Sequence, residues 1–318
     1  MLLYDLNHPH GPRPEYTQLM MKVLLPLDGS PEAEAVIPCA LNLAQRLHAS
    51  IDLVQVTEGY SLRAPELPSE LAREMQQRGQ QRAQSYLHAC APRFAPRPVH
   101  CHAIEGLART EISRVAAQVG SHLIVMATHG REGVSRWLLG SVAEAVTRQS
   151  SCPVLLMRAP APSESLFRHI LLPLDGSKGS LDFLPLLPVF LAPGGRVTLL
   201  RSVDLSLYPI LDSHSDLIRE YFQLLKSDLG RVQYRGLDFE VVVQEGDPVE
   251  AILGWSAQHR CDLIALSSHG RSGLQHLWLG SVTEKVARHA NCPVLVFSSH
   301  SQHRATQLAA FFQEQART

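Results

Sequence analysis

The sequence predicts an α/β protein of two tandem domains, each a doubly wound, five-stranded parallel sheet. Three observations predict it. Residues 121–157 (SHLIVMATHGREGVSRWLLGSVAEAVTRQSSCPVLLM) and residues 261–297 (CDLIALSSHGRSGLQHLWLGSVTEKVARHANCPVLVF) match at 17 of 37 positions without a gap. The segments Val23-Leu24-Leu25-Pro26-Leu27-Asp28-Gly29-Ser30 and Ile170-Leu171-Leu172-Pro173-Leu174-Asp175-Gly176-Ser177 echo each other as well. Within each half, short apolar runs alternate with helical periods. A repeat of about 140 residues is domain-sized and far longer than a solenoid unit.

The elements follow in order. Val23–Leu27 reads as a buried strand and Ala33–Ala49 as a helix. Ile51–Val56 is a second strand, followed by a polar helix from Ser69 to Cys90. Val99–Ile104 is the third strand, after which Ile112, Val115, Ala116 and Val119 hold one helix face at i, i+3, i+4, i+7. Leu123–Ala127 is the fourth strand, Val142 and Val146 sit on a helix, and Val154–Met157 is the fifth strand. Strands alternating with helices predict a parallel sheet with right-handed crossovers. The second half repeats this order, with Val249, Ile252 and Leu253 on the equivalent helix face and a first helix broken by Pro185 and Pro188. An offset of 147 separates Asp28 from Asp175 and one of 140 separates Gly130 from Gly270, so domain one carries seven extra residues before its third strand ends.

The expected organisation is a Pro/His-rich extension over 1–20, domain one over 21–158 and a linker over 159–166. Domain two spans 167–299, and one tail helix covers 300–318. Two cores of this size need no staples. Hydrophobic residues make up 45% and charged residues 19% of the chain, an ordinary globular balance. A net charge of −1 argues against a nucleic-acid surface. No apolar run reaches the roughly 18 residues of a membrane span, and the N-terminus lacks the basic and apolar regions of an export signal. Six cysteines include no CxxC pair, and Cys152 and Cys292 stand at equivalent apolar places, each before Pro-Val-Leu. They read as reduced packing residues of a cytoplasmic protein.

Open α/β sheets bind ligands beyond the carboxyl ends of their strands, at the switch point. Three shared segments fall there. Asp28-Gly29-Ser30 and Asp175-Gly176-Ser177 end the first strands; Thr128-His129-Gly130 and Ser268-His269-Gly270 end the fourth. Gly140-Ser141 and Gly280-Ser281 open the following helices. Glycines at 130 and 140 allow backbone amides to approach an anion, and a helix start adds a positive dipole end. Arg131 and Arg271 add charge, while Asp28 or Asp175 suits ribose or base donors. The sum reads as a nucleotide across the first and fourth strands. A plainer reading stands beside it: Ser141–Glu144 and Ser281–Glu284 have the pattern of capping boxes, and Asp-Gly-Ser is a common turn and cap.

Strand-Asp-Gly-Ser, then Thr/Ser-His-Gly-Arg, nine residues, Gly-Ser-Val and finally Cys-Pro-Val-Leu resembles the universal stress protein family in tandem form, over residues 21–158 and 167–299. The resemblance implies an adenine nucleotide-binding-like fold in which one domain pairs with the other through its last strand as an internal pseudo-dimer. Two chains then pair further as a homodimer. It implies ATP as ligand, with magnesium able to accompany the phosphates. Mapped onto this chain, the site in domain one is Pro26, Asp28, Val56, Met126, Ala127, Gly130, Arg131, Gly140, Ser141 and Val142. In domain two it is Pro173, Asp175, Ser202, Ser267, Gly270, Arg271, Gly280, Ser281 and Val282. The family's first loop glycine is missing: Ala127 and Ser267 stand in its place, the serine being the larger departure. Glu245-Gly246-Asp247-Pro248 fits the family's loop after the third strand, and Glu105-Gly106-Leu107-Ala108 departs from it.

The reading is a nucleotide-dependent stress-response regulator and not a dedicated catalyst. A slow ATP hydrolase or phosphoryl-transfer enzyme and a nucleotide-free interaction module are the alternatives. No GxSxG, Walker loop, GxGxxG or HExxH is present, so His129 and His269 read as anion or loop contacts. His100-Cys101-His102 looks like a metal cluster. Strand alternation turns the histidines away from Cys101, and Val241-Val242-Val243, taken as its counterpart, has no ligand atoms. No metal is expected.

Overall fold

The computed structural model describes residues 21–58, 69–128, 139–158, 167–177, 180–203, 239–268 and 280–315, with positions 223, 224, 227 and 237. The N-terminal extension and the linker lie outside the described residues. Domain one runs β1 (Lys22–Pro26), α1 (Pro31–Glu34), α2 (Ile37–Arg46), β2 (Ser50–Thr57), α3 (Ser69–Cys90), β3 (Val99–Glu105), α4 (Ala108–Val119), β4 (Leu123–Ala127), α5 (Ser141–Gln149) and β5 (Val154–Met157). Domain two contributes β6 (Phe167–Leu174), α6 (Leu187–Phe190), β7 (Leu191–Val203), β8 (Phe239–Glu245), α7 (Pro248–Gln258), β9 (Leu263–Ser267), α8 (Ser281–His289) and β10 (Val294–Phe297). The tail forms α9 (Gln302–Gln315).

The ten strands of the described residues join one sheet in the order β3-β2-β1-β4-β5-β10-β9-β6-β7-β8. Pairing is parallel inside each half and antiparallel only at the centre, where Val294, Leu295 and Val296 face Leu156, Leu155 and Val154. The expected pseudo-dimer through the last strands is therefore built within the chain, and β3 and β8 become its outer strands.

Strand alternation divides the core into two apolar clusters, one on each face. Val23, Leu25, Leu123, Val125 and Leu155 belong to one cluster; Leu24, Ile124, Met126, Val154 and Leu156 belong to the other. The first cluster crosses the domain boundary. It joins Ile37 and Leu43 of α2 with Leu187 and Phe190 of α6. Phe183 stacks on Phe297 with ring centroids 4.2 Å apart.

The tail helix closes this seam. Ala305, Leu308 and Ala309 are buried in the shared cluster, with Phe311 and Phe312 packed on it. Arg46 at the end of α2 donates to the carbonyls of Pro188 and Leu191 at 2.9 and 3.2 Å, and its guanidinium lies 4.6 Å from the Phe312 ring centre. A cation from domain one thus caps the carbonyl end of a domain-two helix, where the dipole favours it.

Proline breaks the first helix of each domain, and in domain one this differs from expectation. The single helix over Ala33–Ala49 is two, α1 and α2, since Pro38 sits in the first turn of α2. Proline has no N–H to give and its ring excludes the carbonyl four residues back, so the helix restarts there. In domain two Pro185 and Pro188 reduce the equivalent region to a 3₁₀ turn, Leu184–Leu186, and the four-residue α6, as their positions suggested.

Candidate functional site

In each half the sheet changes direction between its first and fourth strands, which pair in parallel at Val23↔Leu123 and Leu24↔Ile124 and at Ile170↔Leu263 and Leu171↔Ile264. Crevices of open α/β sheets form at such a place. The carboxyl ends of β1 and β4 bring Pro26, Asp28, Met126 and Ala127 together, and β6 and β9 do the same for Pro173, Asp175 and Ser267.

The turn after β1 is held by its own side chains. Asp28 Oδ1 accepts from Ser30 N–H at 2.9 Å and from Ser30 Oγ at 2.6 Å, and Ser30 Oγ accepts from Ala33 N–H at 3.1 Å to cap α1. Gly29 stands between them at φ 81°, left-handed backbone that glycine adopts without a Cβ penalty. Domain two repeats the device: Ser177 donates through N–H and Oγ to Asp175 Oδ1 at 2.9 and 2.7 Å, with Gly176 at φ 82°. Asp175 Oδ2 is buried with no hydrogen-bond partner among the described residues.

The helix starts correct one expectation. Neither capping box forms: Gly140 and Gly280 are the N-cap residues of α5 and α8, no side chain among the described residues caps either helix, and Ser141 and Ser281 are exposed first-turn residues. The cause lies in the preceding strand. Gly140 N–H donates to the Thr128 carbonyl and Gly280 N–H to the Ser268 carbonyl, each at 2.9 Å, so the glycine is pinned against the strand end and takes the cap position. These two amides are therefore committed to the fold. Glu144 N–H bonds back to the Gly140 carbonyl, which leaves Ser141, Val142 and Ala143 as the amides without an intrahelical acceptor.

Glycine at 280 is demanded by space. A Cβ there would stand 2.8 Å from the Ser268 carbonyl oxygen. Gly280→Ala is expected to destabilise the chain by about 1–3 kcal/mol through forced backbone movement. Ser281→Ala, which removes no cap, should shift stability by less than about 0.5 kcal/mol. Urea unfolding of the two variants checks both; a loss near 1 kcal/mol for the serine, the usual size of a cap, would restore the capping box.

Met126 is 5% exposed and its side chain packs in the core, so it can serve the crevice only through its backbone. Val142 and Val282 are partly buried against the same cluster. Gly130, Arg131, Gly270, Arg271, His129 and His269 lie outside the described residues.

The two outermost strands of each half end beside this switch point. Gly106 N–H donates to the Thr57 carbonyl and Gly246 N–H to the Val203 carbonyl, both at 3.0 Å, so the two halves align without ambiguity here. Ser202 thus occupies in domain two the place of Val56. Val56 pairs with Ile104, and Ser202 pairs with Gln244.

That alignment also corrects the counterpart of His100-Cys101-His102, which is Glu240-Val241-Val242. Asp52 pairs with His100 and Thr198 with Glu240, so the counterpart does carry a carboxylate. The histidines turn away from Cys101, as strand alternation requires, and toward Asp52 on β2. His102 Nε2 donates to Asp52 Oδ1 at 2.8 Å, His100 Nδ1 lies 3.6 Å from the same oxygen, and the carboxylate side chain is 2% exposed. Sequence reasoning missed Asp52. Its signal was the single charged residue of β2, on the face opposite Ile51 and Leu53. No group of three or more His, Cys, Asp or Glu among the described residues is arranged to hold a metal ion.

The six cysteines are unpaired. Burial pushes the thiol pKa up to about 12 at Cys152 and about 11 at Cys292, which suits packing and not nucleophilic chemistry. No helix among the described residues is long and apolar enough to cross a membrane.

Two doubly wound sheets fused through their last strands, with a glycine-bearing loop at each switch point, define a tandem Rossmann-like α/β protein. The profile of the universal stress protein family matches residues 20–158 and again residues 166–298. The chain belongs to the universal stress protein family. A universal stress protein of Methanocaldococcus jannaschii is 33% identical over 148 residues, 45% of this chain and 84% of that protein. One of Mycobacterium tuberculosis is 27% identical over 206 residues, 55% of this chain and 61% of that protein. The crystal structure of a universal stress protein from Archaeoglobus fulgidus superposes with a TM-score of 0.64 at 22% identity, covering 87% of this chain and 96% of that one. That likeness shows the fold.

Proposed function

We propose that the chain is an ATP-binding regulator of a stress response in the cytoplasm, with ATP held by domain one as ligand and not turned over as substrate. One observation supports this reading. The Asp28 turn and Ala127 follow from two strands that pair side by side, and the N-terminus of α5 is capped by no side chain among the described residues. Ser141, Val142 and Ala143 amides, with the helix dipole behind them, suit the phosphates. Asp28 suits the ribose hydroxyls, and Val56 offers apolar surface to the base. Ala127 adds one methyl where the family's glycine would stand, a small intrusion. Arg131 adds a positive charge in the sequence of the loop, and magnesium can accompany the phosphates.

Calorimetric titration of the full chain with ATP tests the proposal. The expected dissociation constant is roughly micromolar, equivalent to about 8 kcal/mol. A free ATP concentration a hundredfold above it should stabilise the fold by about 2.7 kcal/mol. Asp28→Ala should weaken binding at least tenfold. A melting temperature indifferent to ATP at millimolar concentration would leave the chain a nucleotide-free interaction module, the reading favoured by Ala127 and Ser267 in place of glycine. Steady release of phosphate, abolished by Ser141→Ala, would make it an enzyme.

A further inference from the structure

The two halves differ at three aligned positions at or just beyond the ends of their two outermost strands. In domain one these are Val56, Ile104 and Leu107. Val56 and Ile104 are register partners, both packed against the second core cluster. Leu107 follows Gly106, stands 36% exposed, and is the N-cap residue of α4, where its side chain caps nothing. In domain two the same positions are Ser202, Gln244 and Asp247. Ser202 Oγ donates to the Gly246 carbonyl at 2.6 Å, and Asp247 Oδ1 accepts from Val249 and Glu250 N–H at 2.8 and 3.1 Å to cap α7.

The polar set is what the loop and helix call for on their own: hydroxyl and carboxylate are satisfied internally and the helix start is capped. The apolar set contradicts local preference. Leucine is among the poorest N-cap residues, and this one leaves apolar surface in water as well. Departures from local preference concentrate where a site needs them. A flat heteroaromatic ring is the group that gains from a wall of valine, isoleucine and leucine beside a ribose-binding carboxylate. A ring laid on the domain-two wall would meet the Gln244 amide and the second oxygen of Asp247, which it would strip of water without replacing their hydrogen bonds.

We propose that Leu107, with Val56 and Ile104, forms the seat of the nucleotide base in domain one, and that the polar end of domain two takes no base, so each chain holds one nucleotide. This rests on the reading of domain one as a nucleotide site. It extends that reading to stoichiometry and to a residue outside the family pattern.

Calorimetric titration of the full chain with ATP reads the stoichiometry directly, and one equivalent per chain is expected. Val56→Ser should weaken binding by on the order of tenfold or more, the scale of a lost apolar contact in a pocket. Gln244→Ala should leave the affinity within about twofold. Leu107→Ser separates binding from folding because its two effects run in opposite directions. The serine supplies the missing cap, so the melting temperature should rise while affinity falls on the order of tenfold. Two equivalents per chain would overturn the inference and leave the binding reading standing. Undiminished affinity in Leu107→Ser would do the same. No binding at all would remove both together.

Discussion

Acidification from pH 7 to pH 4.5 is expected to cost the folded chain roughly 2 kcal/mol at His122 alone. The imidazole is 2% exposed and its Nδ1 accepts from the Lys22 N–H at 3.3 Å, so it is neutral in the native sheet. Burial is the main reason it resists protonation. The positive groups around it add to this: Arg304 and His303 from α9, and Lys22 from β1, whose ammonium is held on the Val119 carbonyl at 3.0 Å. Together they push its pKa down from 6.5 to about 4. The unfolded chain therefore takes up a proton near pH 6.5 and the folded chain not until about pH 4. Stability contributed by His122 is fully present above the first value, declines between them and levels off below the second. His169 in domain two, also lowered mainly by burial and then by Arg196, adds loss of the same sign. His122→Asn keeps an acceptor near Nδ1 and cannot titrate. Urea midpoints at pH 7 and pH 4.5 should show that the variant loses roughly 2 kcal/mol less than the parent; equal losses would exclude His122 as the source.

Leu308→Ala is expected to destabilise both domains at once, by about 3 kcal/mol, within the usual 2–5 for a buried leucine. Leu308 is fully buried at the seam, in the cluster shared by α2 of domain one and α6 of domain two. Loss of packing there is felt on both sides, and a shared core unfolds cooperatively. Hydrogen exchange should show α2 and α6 losing protection together, with one unfolding transition throughout. Two separated transitions, with only domain two shifted, would mean that the halves fold independently and that α9 belongs to one of them.

Much of the fold was legible because buried parallel strands announce themselves as apolar runs between helical periods. Leu123–Ala127 and Val154–Met157 match the observed elements to the residue. What joins the halves was not legible from pattern alone. Leu155 and Leu295 show that their strands are buried, and nothing in an apolar strand says which neighbour covers its edge; only the family resemblance supplied that. The tail shows the same limit. Ala305, Leu308, Ala309 and Phe312 repeat at helical spacing, so the helix could be read, whereas its docking surface lies far away in sequence on α2 and α6.

At the crevice, Asp28-Gly29-Ser30 was legible because a turn and cap are local. The helix starts were misread for a complementary reason. Ser141 and Glu144 have capping-box spacing, and a bond from Gly140 to Thr128, across a loop the pattern cannot see, shifts the cap by one residue. Asp52 escaped notice because its meaning comes from His102 on the neighbouring strand.

The antiparallel join of β5 and β10 has a consequence for how such a chain can diverge. When two identical subunits associate, every substitution appears twice, and a pocket lost in one is lost in the other. Here the partner is encoded downstream in the same gene product and arrives at a concentration that dilution cannot lower. Each lobe is thereby free to drift while the other keeps its chemistry, and the scaffold survives the specialisation.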